Sequence, residues 1–246
     1  MSFNHLSDAE IKEALALRER LNLLKKQEIC KTNFLEFIDH MWDGFICGRH
    51  HKIFAEKLEG IANGTIKRLI VNMPPRHTKS EFASTYFPAW IMGRDPSRKI
   101  MQTTHTGELA VRFGRKVRNM MDSDIYKQIF PEVSLSSDSK SAGRWETNKS
   151  GEYFAAGVGG AITGRGADLL IIDDPHSEQD AMSPTAMESC WEWYTSGPRQ
   201  RLQPGGSIVL VMTRWSGIDL TAKLLEAQKE ALADQWEIVE FPAIFP

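Results

Sequence analysis

From Lys67 onward, short apolar runs alternate with helix-like segments, and this alternation limits the chain to one kind of core. The runs are KRLIVNM (67–73), RKIMQTT (98–104), GEYFAAG (151–157), DLLIIDD (168–174), SIVLVMT (207–213) and WEIVEF (236–241). Between them lie the helical candidates SEFASTYFPAWIMG (80–93), GELAVRFGRKVRNMM (107–121), SPTAMESCWEWY (183–194) and GIDLTAKLLEAQKEALA (217–233). Residues 132–150, rich in Ser, Lys and Asp, read as a loop, and 157–167 as a glycine-rich loop. Strands alternating with helices predict an α/β fold, a mostly parallel sheet flanked by helices. Ligands in such sheets bind beyond the carboxyl ends of the strands, so the chemistry is sought there.

The first 64 residues differ, reading as a helical N-terminal region packed on a core that spans 65–246. Ser7 and Glu10 have capping-box spacing. Ile11, Ala14, Leu15, Leu21 and Leu24 then suggest an amphipathic helix ending near Lys25-Lys26. Asn33 and Glu36 repeat the cap before a second helix, and HHKIFAEKLEGIANG is a third, closed by Gly64. A chain of 246 residues with net charge −2 has no global attraction to nucleic acid, so any DNA surface must be a local patch. Cys30, Cys47 and Cys190 are odd in number and widely spaced, which predicts free thiols and no zinc site. No apolar stretch approaches the roughly 20 residues of a membrane span.

At the end of the first strand stands MPPRHTKS (73–80). A phosphate loop reads G-x-x-x-x-G-K-[ST], its amides and helix N-terminus holding phosphates, its Lys reaching their oxygens and its hydroxyl holding Mg²⁺. Here Met73 and Thr78 occupy the glycine positions. Thr78 disfavours positive φ, so the chain there is expected to be helical or extended. Pro74 and Pro75 donate no N–H, which leaves the cradle to Arg76, His77, Thr78, Lys79 and Ser80, with Arg76 as an added cation. Taken alone, the same residues also suit an ordinary helix start.

The other carboxyl ends add to this. Asp173 and Asp174 end an apolar strand, Asp173 suiting the metal shell and Asp174 the orientation of an attacking water. Asp is shorter than Glu, so either the water sits closer or Glu178 reaches in. The rival reading of Asp173-Asp174-Pro175 is a helix cap. Thr213 and Arg214 end another strand, where a hydroxyl can report the presence of a γ-phosphate or merely cap a turn. Arg165, between Gly164 and Gly166, suits an arginine finger in its own subunit or a neighbour's, or a solvated loop residue. On the helix from Gly107, an apolar stripe of Leu109, Phe113, Val117 and Met120 opposes Arg112, Arg115, Lys116 and Arg118. That basic face suits a DNA backbone or plain solvent. His50, His51, His77, His105 and His176 show no ligand spacing, so no metal other than Mg²⁺ is expected.

Taken together, RLIVNMPPRHTKSEFAS, GVGGAITGRGADLLIIDDP and IVLVMTRWSGIDL resemble the ATPase domain of the large terminase subunit of tailed bacteriophages. The resemblance runs from about His50 to the end. It implies a three-layer P-loop NTPase of the ASCE/RecA-like kind, using ATP and Mg²⁺ to drive double-stranded DNA through a portal protein into a procapsid. It further implies a homo-oligomeric ring, commonly a pentamer, a small terminase subunit as partner, and a place in the host cytoplasm, transiently at the portal and absent from the mature virion. By similarity, Pro75, Arg76, His77, Thr78, Lys79 and Ser80 form a deviant Walker A, with Arg76 also catalytic. Asp173 is the Walker B acid, Asp174 stands at the catalytic Glu position, Thr213 and Arg214 belong to the coupling motif, and Arg165 stands near a trans-acting arginine. Thr78 and Asp174 depart from the family pattern. Family members continue into an RNase H-like nuclease domain; the chain's end at EFPAIFP implies that it lacks that domain and its activity. The alternatives are a nucleotide-binding packaging component without turnover and a fragment of a superfamily-2-like helicase.

Overall fold

The structure, a computed structural model, describes residues 7–162 and 164–243. Ser7 opens α1 (Asp8–Thr32) with the expected reciprocal cap, the Glu10 carboxylate accepting from Ser7 N at 2.7 Å. The helix runs past Lys25-Lys26 because nothing there breaks it. Asn33 ends it and caps α2 (Phe34–Met41), its Oδ1 accepting from Glu36 N. α3 (Arg49–Asn63) closes at Gly64, whose φ of +77° is the left-handed geometry that glycine takes without penalty.

The expected amphipathic stripe of α1 is not realised. Ile11, Leu15, Leu21 and Leu24 are exposed, as are Leu17 and Leu23, and only Gln27 and Cys30 near the helix end are buried. At about 100° per residue, Leu15 and Leu23 point away from the side shared by Leu17 and Leu24, so no single face collects them. The N-terminal region packs on the core through the last turn of α1 and through α2 and α3. Phe34 meets Phe82, Phe87 and Trp90 at ring distances of 6.0, 5.5 and 5.1 Å, and Trp90 Nε1–H donates to the Cys30 carbonyl at 2.8 Å.

Beyond Gly64 come β1 (Arg68–Asn72), a π-helical turn (Glu81–Tyr86) continuing into α4 (Phe87–Arg94), β2 (Lys99–Thr104), α5 (Gly107–Asp122) and α6 (Asp124–Ile129). They are followed by β3 (Leu135–Lys140), β4 (Arg144–Thr147), β5 (Glu152–Gly157), β6 (Ala167–Asp173), α7 (Pro184–Ser196), β7 (Leu202–Met212), α8 (Leu220–Ala227) and β8 (Glu237–Glu240). The strands form one sheet in the order β3-β4-β5-β2-β6-β7-β1-β8. From β5 to β8 every pairing is parallel, and β3–β4 adds an antiparallel edge hairpin.

Two-residue alternation splits each central strand between two apolar layers. Leu69, Val71, Leu169, Ile171, Val209 and Val211 face the core containing α2 to α5. Ile70, Leu170, Ile172, Ile208, Leu210 and Met212 face the core containing α7 and α8. Helices thus cover both faces, as buried parallel strands require. β7 lies between β1 and β6, the strand that ends at Asp173. The fold is that of a P-loop NTPase.

Three expectations need correction. Residues 132–150 contain β3 and β4, hidden by their polar composition; the hairpin is anchored by buried Trp145, which stacks on Tyr153 at 4.9 Å. The last helix is shorter than 217–233, because Asp219 caps it through Ala222 N and turns replace it after Ala227. The buried positions of α5 are Ala110, Phe113, Gly114, Val117 and Met121, a stripe one residue from the expected one at each end. No helix among the described residues is long and apolar enough to cross a membrane.

The aromatic anchor and the bare helix make opposite predictions. Phe34→Ala is expected to cost about 3–5 kcal/mol in chemical denaturation, the range for truncating a buried Phe. Leu17→Ala should stay within about 0.5 kcal/mol. Equal effects at the two positions would contradict this packing.

Candidate active site

Strands β1, β6 and β7 end together, and their last residues carry the polar cluster. Lys79 is buried, and its Nζ pairs with Asp174 Oδ2 at 2.8 Å. The other oxygen of Asp174 accepts from Thr213 N at 2.9 Å. Asp173 is buried and accepts twice, from Ser80 Oγ at 2.9 Å and from Ser84 Oγ at 2.6 Å. Gln102 Nε2–H in turn donates to Ser84 Oγ at 2.9 Å. The loop after β1, the end of β6 and the residue after β7 are therefore joined in one polar network.

The loop backbone contradicts the expectation for Thr78. Thr78 has φ +66° and Arg76 φ +63°, both left-handed. Such a conformation costs a non-glycine residue roughly 1–2 kcal/mol, and for a β-branched residue it is a genuine outlier. From outside the loop, His51 Nε2 comes within 2.7 Å of Thr78 Oγ1. Left-handed residues in such a turn help aim successive amides into an anion nest. Thr78 O also accepts from Phe82 N at 3.0 Å, and the helical backbone begins at Lys79. Asp174 is the third strained residue, at φ +41°.

Electrostatics single out Asp173. Burial, and then the neighbouring Asp174, push its carboxyl up to about 7, against the pull of Ser84, Ser80 and Lys79. One ammonium thus faces two carboxylates. Ser80 and Asp173 are hard oxygen donors of the kind Mg²⁺ takes beside substrate phosphates, and the excess negative charge fits a divalent cation. No cluster of three or more His, Cys, Asp or Glu able to hold a metal occurs among the described residues. Beside the loop, a cavity of about 630 Å³ is walled by Pro74, Pro75, Phe241 and Pro242 and edged by Arg214 and Glu240.

The remaining expected residues fall in several places. Pro75 accepts from exposed His77 Nδ1–H through its carbonyl at 2.8 Å. Thr213 Oγ1 lies 3.4 Å from Met73 O. Arg214 pairs with Asp219 (3.0 Å) and Glu240 (3.5 Å). Glu178 is exposed on a turn beyond the strand and is not in the cluster. Arg165 pairs with Glu152 and lies 4.2 Å from the Phe154 ring. Glu152 begins β5, so Arg165 sits at the amino edge of the sheet, opposite this chain's own loop. That excludes the finger role within one subunit. On α5, Arg112 and Arg115 are exposed, Arg118 bonds Asn119 at 3.2 Å, and Lys116 is held by Glu81, which corrects its expected place on a free basic face.

No protein-family model matches the chain. The large terminase subunit of Enterobacteria phage T3 is 24% identical over 164 residues, which is 65% of this chain and 28% of that protein. Over the matched stretch, this chain is similar to that phage large terminase. The solved large terminase of bacteriophage HK97 superposes with a TM-score of 0.49 at 15% identity, covering 79% of this chain and 39% of that one. The large terminase of a thermophilic bacteriophage in complex with ADP gives 0.46 at 12% identity, covering 76% and 44%; its complex with ATP-gamma-S gives 0.44 at 12%, with the same coverage. The chain spans about 28% of the T3 relative's length.

At this site, sequence reasoning missed Ser84, Gln102 and His51. Ser84 had a signal: it follows Ser80 by four residues on one helix, a spacing that shares a face. Gln102 sits in a β2 strand adjacent to β6, legible only from the strand order. The sequence spacing of His51 bears only on metal ligation and carries no sign of its contact with Thr78.

The charge imbalance predicts how stability changes with pH. A raised carboxyl pKa contributes stability at low pH that is lost as pH rises from about 4 through about 7. Asp173→Asn removes that loss. Without divalent cations at pH 8 it is expected to raise the melting temperature, by about 2–4 °C for each kcal/mol relieved. A lower melting temperature would show that the ionised carboxylate is well accommodated.

Proposed function

We propose that this chain is the ATP-hydrolysing motor region of a phage DNA-packaging enzyme, and that Asp174 orients the attacking water. The observation carrying the reading is the Lys79–Asp174–Thr213 linkage at the joint end of β1, β6 and β7. Phosphoryl transfer depends on positioning and on charge stabilisation, both of which this cluster offers. The Arg76–Ser80 amides and the Lys79 ammonium bind the phosphates. Ser80 and Asp173 would hold Mg²⁺, which supplies neutralising charge to the phosphate oxygens when bound. The apolar wall of Pro74, Pro75 and Phe241 suits a purine base, with Arg214 and Glu240 at its polar rim.

Phosphates compete with Asp174 for Lys79. As Lys79 turns to them, Asp174 Oδ2 is released to accept a proton from water. Its other oxygen still holds Thr213 N, so the change at the phosphates reaches the coupling strand directly. Asp174 is favoured over Glu178, which is exposed and outside the cluster. DNA translocation, a ring of copies, and association with a portal and a small subunit belong to the same proposal. Arg112 and Arg115 are its DNA-backbone contacts.

Steady-state ATP hydrolysis in the presence of DNA tests the chemistry. Lys79→Ala and Asp174→Ala should each lose about 100-fold or more. Glu178→Ala should remain within about twofold, as surface changes do. A silent Asp174→Ala with a dead Glu178→Ala would transfer the role to Glu178. If the unaltered chain shows no turnover even with DNA and portal present, the packaging component without turnover becomes the better reading.

The DNA path has its own test. Replacing Arg112 and Arg115 with Ala should weaken double-stranded DNA binding uniformly across sequences. It should also flatten the salt slope of log K by about 2. An unchanged slope removes α5 from the path.

A further inference from the structure

We propose that His51 is a positioning residue for the phosphate loop. Its hydrogen bond to Thr78 holds a threonine in the backbone conformation that phosphate loops ordinarily assign to glycine. The inference rests on the loop being a phosphate site, as proposed above.

The direction of the hydrogen bonds follows from the partners. Gly48 N–H donates to His51 Nδ1 at 2.9 Å, so in the neutral ring the proton sits on Nε2. Nε2–H then donates to Thr78 Oγ1 at 2.7 Å, and the Thr78 hydroxyl donates onward to the His77 carbonyl. Both hydrogen-bonding functions of the hydroxyl are therefore committed to holding the loop. The imidazole has little freedom to release it. It is 6% exposed, stacks on Phe82 at 4.9 Å and 12°, and lies 5.0 Å from Phe45 and 3.8 Å from His50. Burial, then His50, push its pKa down to about 4, so the neutral pattern persists through physiological pH.

What the clamp offsets is backbone strain. Thr78 at φ +66° is disfavoured, and its amide is among those expected to face phosphate. Without the clamp the loop relaxes towards negative φ and that amide turns away. Substitution by glycine removes the strain and with it the need for the clamp. His51 and Thr78 should therefore be thermodynamically coupled through nucleotide binding, although the ring need not touch the nucleotide.

The test is a double-mutant cycle on the whole chain, reading the Kd of Mg·ADP by calorimetry. His51→Phe keeps the stacking and removes the donor. It is expected to weaken binding about tenfold, which is about 1.4 kcal/mol, within the cost range of a left-handed non-glycine residue. In a Thr78→Gly background the same change should cost less than about twofold, since the coupling partner is gone. Equal losses in both backgrounds, or none in either, would overturn the clamp while leaving the phosphate site intact. If the unaltered chain binds no Mg·ADP, the loop reading itself fails and the clamp goes with it. Should His51→Phe not fold, Thr78→Val decides: it lacks the hydroxyl on a half-buried loop residue and should lose about tenfold as well. Unaltered affinity there would refute the proposal.

Discussion

Asp174 stands where three strand ends meet, and the arrangement of the site depends on its two oxygens being claimed by different elements. One oxygen takes the Lys79 ammonium and the other the amide of Thr213. The residue itself is strained at φ +41°, which puts it among positions that persist only when their surroundings over-determine them. Beyond Thr213 the chain is held as firmly. Buried Asp219 accepts from Arg214 Nε, Trp215 N and Ser216 N at 3.0, 3.0 and 3.2 Å, and caps α8 with its second oxygen. A displacement of Asp174 is thus passed to backbone and to a helix rather than absorbed by a loose loop. Packed elements transmit such shifts because they do not deform continuously.

The site also opposes the stability of the fold. A carboxylate buried at Asp173 beside a second one, and three non-glycine residues at positive φ, each disfavour the folded state. What offsets them lies close by. The aromatic group of Phe34, Phe82, Phe87 and Trp90 grips the helix that begins at the loop, and α2 and α3 close over it. The N-terminal region is in this sense support for the site. Its anchoring residues converge on the helix whose first turn carries Lys79 and Ser80.

Much of this was legible in the sequence, for identifiable reasons. Apolar runs of parallel strands have few rivals as a pattern, and chemistry collects at their carboxyl ends, so Lys79, Ser80, Asp173, Asp174 and Thr213 could be picked out one strand at a time. What escaped depends on distance along the chain. The chemistry of Thr78 alone predicts negative φ, and the hydrogen bond that meets its hydroxyl comes from 27 residues away. The β3–β4 hairpin reads as loop because an edge ribbon needs little apolar surface, and a polar edge also discourages mispairing. The leucines of α1 suggest burial by residue type, but they stay exposed. Arg165 looked like a site residue from its glycine neighbours, whereas its ion pair belongs to the far edge of the sheet.

The π-helical turn over Glu81–Tyr86 has a further consequence for the helix that joins site and core. Upstream of it Lys79 and Ser80 must aim at the carboxylates; downstream Phe87 and Trp90 must aim at the aromatic group. A π turn accommodates one residue more than an α turn, shifting the phase of everything after it by about 100°. The helix therefore behaves as a shaft with two keyed ends whose relative angle is set by a single surplus residue. Its length is therefore fixed: losing one residue within that turn would rotate either the Lys79–Ser80 end or the aromatic end out of alignment.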